Sequence, residues 1–340
     1  MTNDVIALTK ELISIPSTVG DIQQLDAMLE FIKKQLPEYP FTSFVSNNFS
    51  SLLYSNQQEN QKNFKILLSA HVDITAKRDS QFVPHEKNGK LYGRGVFDTK
   101  AATAAMILAF KSVAKLINYP LGLQVITDGT SIHQASVTQQ LQQGLKSNFV
   151  IASEGTDFSI INNTKGRIIL NARTNTTSRM HETIKLLADH YPTPKKETDE
   201  TTLNILKIET TENDQCVAEI DIRYYDEDEK TIITKIKSLI PDIALETLNH
   251  FAPNKTSPEN TYIKELQKSG IAISQKDLLL KKAHGVSHAS MFVQDGIDTI
   301  EFGPKGNGYG HIFMEEEEWV DIKSLEQYYH ILKTFLLSLK

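Results

Sequence analysis

Two stretches of sequence decide how this chain folds. The first, Leu67-Leu68-Ser69-Ala70-His71-Val72-Asp73, is an apolar run that ends in a histidine and an aspartate. After a loop, Gly93-Arg94-Gly95-Val96-Phe97-Asp98-Thr99-Lys100 brings a second aspartate to the start of an Ala-rich helix. An imidazole and a carboxylate at such strand and helix ends can share one divalent ion, and Asp73 can hold the other ring nitrogen of His71. Either residue alone would be read as an ordinary polar residue, but together they predict a metal site.

The bulk properties of the chain are those of a globular protein. Its 340 residues, with a hydrophobic fraction of 40%, allow two domains with full cores. The net charge of −6 is spread over mixed segments, so neither a nucleic-acid partner nor a membrane partner is indicated. Cys216 is the single cysteine, which excludes an internal disulfide and suits a reducing compartment. With no basic leader at the N-terminus, we expect a cytoplasmic protein.

Strands and helices alternate along residues 1–165. Amphipathic or Ala-rich patterns predict helices at about 4–13, 22–36, 101–116 and 132–145. Short apolar runs predict strands at about 41–45, 51–54, 64–70, 121–127 and 149–153. This alternation is typical of an α/β fold with a largely parallel sheet covered on both faces, whose chemistry lies at the carboxyl ends of the strands.

The pattern changes at residues 166–255. Here the predicted order is βαββαβ, which is a compact unit with one open sheet face. A linker at 252–258 then leads to further helices and a strand, which rejoin the first domain. We therefore expect a discontinuous metal-binding catalytic domain, residues 1–165 and 256–340, with the second domain inserted into it. The run of four glutamates at 315–318 is expected to be a solvated loop.

The motifs at 67–105 resemble the metal-binding core of a zinc-dependent peptidase and deacylase family. That family includes carboxypeptidase G, acetylornithine deacetylase, succinyl-diaminopimelate desuccinylase and aminoacylase. The resemblance implies a zinc aminopeptidase-like catalytic domain whose inserted domain serves as a lid and dimerisation domain, and so a homodimer formed through the lid. It also implies hydrolysis of an amide bond in a small N-acyl amino acid or peptide.

The resemblance also implies which residues bind metal. His71 matches the family's first histidine ligand, Asp98 its bridging carboxylate, and Glu154 the glutamate that ends the next strand. These three would complete the protein ligands of one zinc ion, for which cobalt or manganese could substitute. His311 matches the late histidine that serves a second metal. Because Thr130 stands where that second metal has a carboxylate ligand, we expect one tightly bound ion and a weak second site.

The main departure from the family lies at Asp128-Gly129-Thr130. The family carries Asp-Glu-Glu here, and the first of these glutamates is the general base. A positioned base contributes roughly 10²–10⁴-fold to the rate, so hydrolysis should be slow. Asp128 or His288 are the candidates that could replace it.

Three other positions bear on the site. Gly285-Val286-Ser287-His288-Ala289 resembles a Gly-Thr-Ser-Asp-Ala pattern in which His288 replaces the aspartate. The lid loop that carries a histidine in the family is missing, and His181 is more often a residue of the following helix than its replacement. Arg223 matches the lid arginine that meets a substrate carboxylate, although a strand arginine commonly pairs with acidic neighbours.

Three functions remain open on the sequence alone. The first is a metal-dependent amide hydrolase with a compromised general base. The second is an inactive family member that binds a metal together with a carboxylate ligand or a protein partner. The third is a structural paralogue that pairs with an active homologue through its lid. The loss of both glutamates favours the second, whereas the retained site residues favour the first.

Overall fold

The chain forms two compact units. The computed structural model describes residues 2–75, 78–130, 135–193, 198–211, 215–308 and 318–339. The first unit comprises Met1–Asn162, Thr256–Lys281 and Ser287–Lys340, and the second comprises Asn163–Lys255 and Lys282–Val286. Residues 282–286 thus group with the second unit, whereas the sequence prediction assigns them to the first domain.

Helices and strands are both well represented in the described ranges. The α-helices there are α1 Thr2–Ser14, α2 Ile22–Gln35, α3 Ala101–Val113, α4 Ala135–Gln142, α5 Thr177–His190, α6 Glu229–Leu239, α7 Thr261–Ser274, α8 Ala289–Gln294 and α9 Ile322–Ser338. The strands there are β1 Phe41–Ser46, β2 Phe49–Ser55, β3 Asn63–Phe64, β4 Ile66–His71, β5 His85–Lys87, β6 Lys90–Tyr92, β7 Leu121–Ile126, β8 Lys146–Ser147, β9 Val150–Ser153, β10 Ile160–Thr164, β11 Gly166–Thr174, β12 Thr202–Thr210, β13 Cys216–Tyr224, β14 Ala244–Phe251, β15 Leu280–Ala283, β16 Thr299–Phe302, β17 Gly306–Asn307 and β18 Trp319–Asp321. Within these ranges, no helix combines the length and the apolar character that crossing a membrane requires.

A sheet with the strand order β1-β2-β7-β4-β9-β16-β10-β15 organises the first unit. Its four central strands, β7, β4, β9 and β16, run parallel, and every residue in them is buried. Burial on both faces explains why these strands read as continuous apolar runs. The largely parallel sheet is therefore confirmed. The antiparallel pairing of β1 with β2, of β2 with β7 and of β16 with β10 was not predicted.

Helices pack closely in the first unit. The helix α3 contacts α1 and α9, and α7 also contacts α9. Nearly every α3 side chain is buried, and five of its thirteen residues are alanines, which allow neighbouring elements to approach closely. The helix begins directly after the segment Val96–Lys100, so its packing fixes where that segment lies.

The second unit is a four-stranded antiparallel sheet with two helices. Its strand order is β12-β13-β11-β14, and the elements follow the predicted order βαββαβ along the chain. Residues of α5 and α6 share one apolar core with the inner strands β11 and β13. Cys216, at the start of β13, is buried in this core.

The parallel core supplies a direct test of this architecture. Leu68 is completely buried on β4, and Leu68→Ala should lower the free energy of unfolding by about 2–5 kcal/mol because it leaves a cavity. Val45→Ala is the matched control, since Val45 is 63% exposed on β1 and should change stability by less than about 0.5 kcal/mol. Urea unfolding followed by fluorescence measures both, and equal losses would contradict the placement of β4 at the centre of the sheet.

Candidate metal centre

His71 is the centre of a buried group of possible metal ligands. It is the last residue of β4 and is only 2% exposed. Its Nε2 atom lies 3.4 Å from Asp98 Oδ1 and 3.9 Å from Glu154 Oε1. The hydroxyls of Thr99 and Thr103 donate to its carbonyl oxygen, which ties the end of β4 to the start of α3. The structure thus brings together the three residues that the sequence predicted for one metal.

Asp98 is positioned by a residue that sequence reasoning missed. The backbone N–H groups of Gly95, Phe97 and Asp98 donate to the carboxylate of Glu318 at 2.7, 2.8 and 2.9 Å. Arg94 also faces this carboxylate at 3.4 Å. Burial raises the pKa of Glu318 to about 7. The expectation of a solvated loop is therefore wrong for Glu318, and nothing in a run of four glutamates distinguishes the buried one.

Glu154 follows β9 directly and keeps 19% of its side chain exposed. A Cβ atom on Gly303 would lie 1.8 Å from the Glu154 carbonyl oxygen, so only glycine allows this approach. Glu301, on the adjacent strand β16, is buried and accepts a hydrogen bond from the Ser287 hydroxyl at 2.5 Å. Burial raises the pKa of Glu154 and of Glu301 to about 8. Glu301 was also missed, although a glutamate inside an apolar strand is itself a signal.

Asp73 links His71 to the loop after β7. Its Oδ1 atom lies 3.3 Å from His71 Nδ1 and accepts the Gly129 N–H at 2.8 Å. Its Oδ2 atom accepts both the N–H, at 2.8 Å, and the hydroxyl of Thr130. Burial alone would lower the pKa of His71, but the carboxylates of Asp73 and Asp98 raise it well above its ordinary value. Burial likewise opposes ionisation of Asp73, but His71 and Thr130 lower the pKa of its carboxyl.

The loop at residues 128–130, where the resemblance implies two glutamates, is tightly packed at Gly129. A Cβ atom on Gly129 would lie 2.4 Å from both Cβ and Cγ of His71, so the histidine occupies the space that a larger side chain would need. Asp128 is buried, and its Oδ2 atom accepts the Ser136 N–H at 2.9 Å, near the start of α4. Burial raises the pKa of Asp128. This carboxylate therefore caps a helix.

His288 lies beside the ligand group. It is completely buried, and its Nδ1 atom is 3.5 Å from Glu154 Oε1. Its ring meets that of His71 edge to face, with centroids 5.5 Å apart. Burial and the neighbouring His71 lower the pKa of His288 to about 3, which makes its imidazole a weak proton acceptor at neutral pH.

The remaining predicted residues lie elsewhere. Arg223, on β13 in the second unit, donates to the His284 carbonyl oxygen at 3.1 Å and lies 3.5 Å from Asp221, with a third of its side chain exposed. His181 is exposed on α5. His311 lies outside the described residues.

The residues present suit a divalent metal. Buried carboxylates and imidazoles that face one another at 3.4–3.9 Å are the donor set that zinc and related ions take in proteins. The Nδ1 atom of His71 points away from this group toward Asp73, which is the outer partner that metal-binding histidines commonly have.

The close contact at Gly129 predicts an effect on metal binding. Gly129→Ala must displace the His71 ring, so we expect metal affinity to fall about 10-fold or more. Gly285→Ala is the matched control, because a Cβ atom there would meet nothing within 4 Å. Competition with a chromophoric chelator measures both variants. Unchanged affinity in Gly129→Ala would show that the loop does not constrain His71.

Glu318 gives a second prediction for this site. Glu318→Gln leaves one accepting oxygen where three N–H groups converge, so stability should fall by about 1–3 kcal/mol. Metal affinity should fall as well, because one of those N–H groups belongs to Asp98. Glu59→Gln, at an exposed position, should change neither quantity. Thermal unfolding with and without metal tests this, and a variant that behaves like Glu59→Gln would exclude a positioning role for Glu318.

Two curated proteins are similar to part of this chain. A succinyl-diaminopimelate desuccinylase from a Nitratiruptor species is 34% identical over 131 residues, which cover 37% of this chain and 34% of that protein. A second one, from Blochmanniella floridana, is 29% identical over 190 residues, which cover 51% and 47%. The chain therefore spans about a third to a half of the length of these curated relatives.

Solved structures share the fold over nearly the whole chain. An M20 family metallo-carboxypeptidase from Sulfolobus solfataricus has a TM-score of 0.76 at 14% identity, with 98% of each chain covered. A dinuclear metal-binding peptidase from Bacillus subtilis has a TM-score of 0.66 at 10% identity, with 100% of this chain and 99% of that one covered. The sequence pattern of Peptidase family M20/M25/M40 matches residues 67–338, which confirms the resemblance seen in the motifs. Because that match covers most of the chain, the protein belongs to Peptidase family M20/M25/M40.

Proposed function

We propose that this protein is a metal-dependent hydrolase of amide bonds in N-acyl amino acids or small peptides. The observation that carries the proposal is the convergence of His71, Asp98 and Glu154, with nitrogen and oxygen atoms 3.4 and 3.9 Å apart. Side chains at the ends of buried strands and at a helix start are held rigidly, as a hydrolytic site requires. Membership of a peptidase family supports the same conclusion.

The proposed cofactor is zinc, with cobalt or manganese as functional substitutes. When bound, such an ion supplies Lewis acidity, which activates water and polarises the scissile carbonyl group. His71, Asp98 and Glu154 would hold it, and Asp73 would orient the imidazole of His71 through Nδ1. We propose one tightly held ion per chain, since Thr130 is a poor ligand in place of a carboxylate. The proposed second-metal ligand, His311, lies outside the described residues.

The proposed substrate carries a carboxylate beside the amide. Desuccinylases act on N-succinyl groups, as the name of the Nitratiruptor relative states, and the same class of ligand suits this chain. Arg223 is the proposed partner of the substrate carboxylate, because a third of its side chain stays exposed and its hydrogen bond to His284 uses one of its several donors.

Neither Asp128 nor His288, the two candidates for the general base, is well suited to accept a proton in this mechanism. Gly129 replaces the glutamate that serves as general base in the family, and the carboxylate of Asp128 accepts a hydrogen bond from α4 instead. His288 has a lowered pKa, so it would accept a proton poorly. These observations favour slow hydrolysis. They also support the second candidate, a family member that binds a metal and a carboxylate ligand or protein partner without turnover.

Two further proposals concern the setting of the protein. The outer strand β12 has a mostly exposed second half, and a homodimer formed through the inserted domain would cover it. A cytoplasmic location suits a chain with a single buried cysteine.

A substrate panel tests the proposed activity. Purified protein loaded with zinc should hydrolyse N-acetyl and N-succinyl amino acids far more slowly than a typical enzyme median of about 10 s⁻¹. The physical reason is the missing general base at Gly129. Release of the free amine, followed by chromatography, measures the rate.

The controls separate slow catalysis from contamination. Chelation or His71→Ala should abolish the activity, whereas His190→Ala, an exposed residue of the second unit, should leave it unchanged. No metal-dependent hydrolysis of any substrate would favour the binding function. Fast turnover that survives replacement of both Asp128 and His288 would show that another residue is the base.

A further inference from the structure

His288 is a buried imidazole whose ring nitrogens lack well-formed hydrogen bonds. Its exposed fraction is 0%, and the backbone of Ser69 on β4 interacts with the ring and raises its pKa, but neither Nδ1 nor Nε2 makes a hydrogen bond of good geometry to any described residue. An unsatisfied buried polar group costs about 1–3 kcal/mol, so such groups rarely persist without a role. A satisfied core histidine, which would be the plain interpretation, makes at least one such bond.

The position of the ring explains what could satisfy it. The Nδ1 atom of His288 lies 3.5 Å from Glu154 Oε1, and Glu154 Oε1 lies 3.9 Å from His71 Nε2. One ligand atom from each of His71, Glu154 and His288 lies within 4.8 Å of the other two. The two imidazoles meet edge to face, with ring centroids 5.5 Å apart and an interplanar angle of 74°.

We infer that His288 is a metal ligand, and that His71, Glu154 and His288 together hold one ion. The inference rests on the proposed metal-dependent function and deepens it, because it assigns a ligand set different from the one that the sequence motifs implied. Two imidazoles and one carboxylate form a set of protein ligands that catalytic zinc sites use, with a further position left for water or substrate. Asp98, 3.4 Å from His71 Nε2, remains beside this set as an additional donor.

The ligand set has a consequence for metal preference. Imidazole nitrogen suits zinc, cobalt, nickel and copper, whereas carboxylate and carbonyl oxygens suit magnesium and manganese. A second imidazole at position 288, where the family pattern has an aspartate, therefore moves the site away from hard cations. We expect this protein to bind zinc and cobalt at one equivalent per chain and, among the possible substitutes for zinc, to bind cobalt more tightly than manganese.

Metal binding to purified wild-type protein and three variants tests the inference. X-ray absorption of the zinc-loaded wild type should show two imidazole ligands. His288→Ala should lower zinc affinity more than the roughly 10–100-fold typical of losing an outer partner, and should alter the visible spectrum of bound cobalt. His288→Asp should restore binding but raise the preference for manganese over zinc. His190→Ala is the matched histidine control and should behave as wild type.

The readouts separate this inference from the proposed activity. One imidazole in the wild-type absorption spectrum, or an unchanged cobalt spectrum and zinc affinity in a folded His288→Ala, would overturn the ligand role even if amides are hydrolysed. If the absorption spectrum shows two imidazole ligands but the protein hydrolyses no amide, the ligand role of His288 is supported and the proposed hydrolase activity is wrong. Circular dichroism tests whether each variant is folded. If His288→Ala is unfolded, the X-ray absorption spectrum of the zinc-loaded wild type decides whether a second imidazole binds the metal.

Discussion

The site depends on the contacts that the carboxylate of Asp73 makes with His71 and with the loop after β7. This carboxylate is completely buried, yet it faces His71 Nδ1 and accepts hydrogen bonds from the backbone of Gly129 and Thr130. These contacts join the ends of two adjacent parallel strands, β4 and β7. A buried carboxylate is stable only when such partners compensate its lost hydration, so its geometry is strongly constrained. The orientation of His71, and with it the ligand group, follows from that constraint.

The ionised forms of two carboxyl groups in the first unit are destabilised by burial. Burial raises the pKa of Glu154 and Glu301 to about 8, from an ordinary value of 4.5. A raised pKa means that the folded protein holds more protons than the unfolded chain, so their contribution to stability is present below pH 4.5 and is lost as the pH rises toward 8. A divalent cation between Glu154 and its neighbours would supply the missing positive charge at neutral pH. Metal binding and folding stability would then be coupled through the same side chains.

The sequence predicts the fold better than it predicts the site. The parallel core and the inserted βαββαβ unit follow from hydrophobic periodicity, because doubly buried strands must be continuously apolar. The antiparallel outer strands do not follow, since short runs such as Ile160–Thr164 carry no signal of direction. His71 and Asp98 follow from motifs at a strand end and at a helix start, and Glu154 follows from the family resemblance. Glu318 and Glu301 do not, because their burial depends on partners that are distant in the chain.

The residues that depart from the family pattern all lie around His71 and its partner Asp73. Gly129 leaves room for the His71 ring, Thr130 donates twice to Asp73, and His288 sits against both His71 and Glu154. Here each replacement has a defined contact around one imidazole. These contacts suit the proposed centre for a single ion, in which His288 supplies an imidazole where the family pattern has an aspartate.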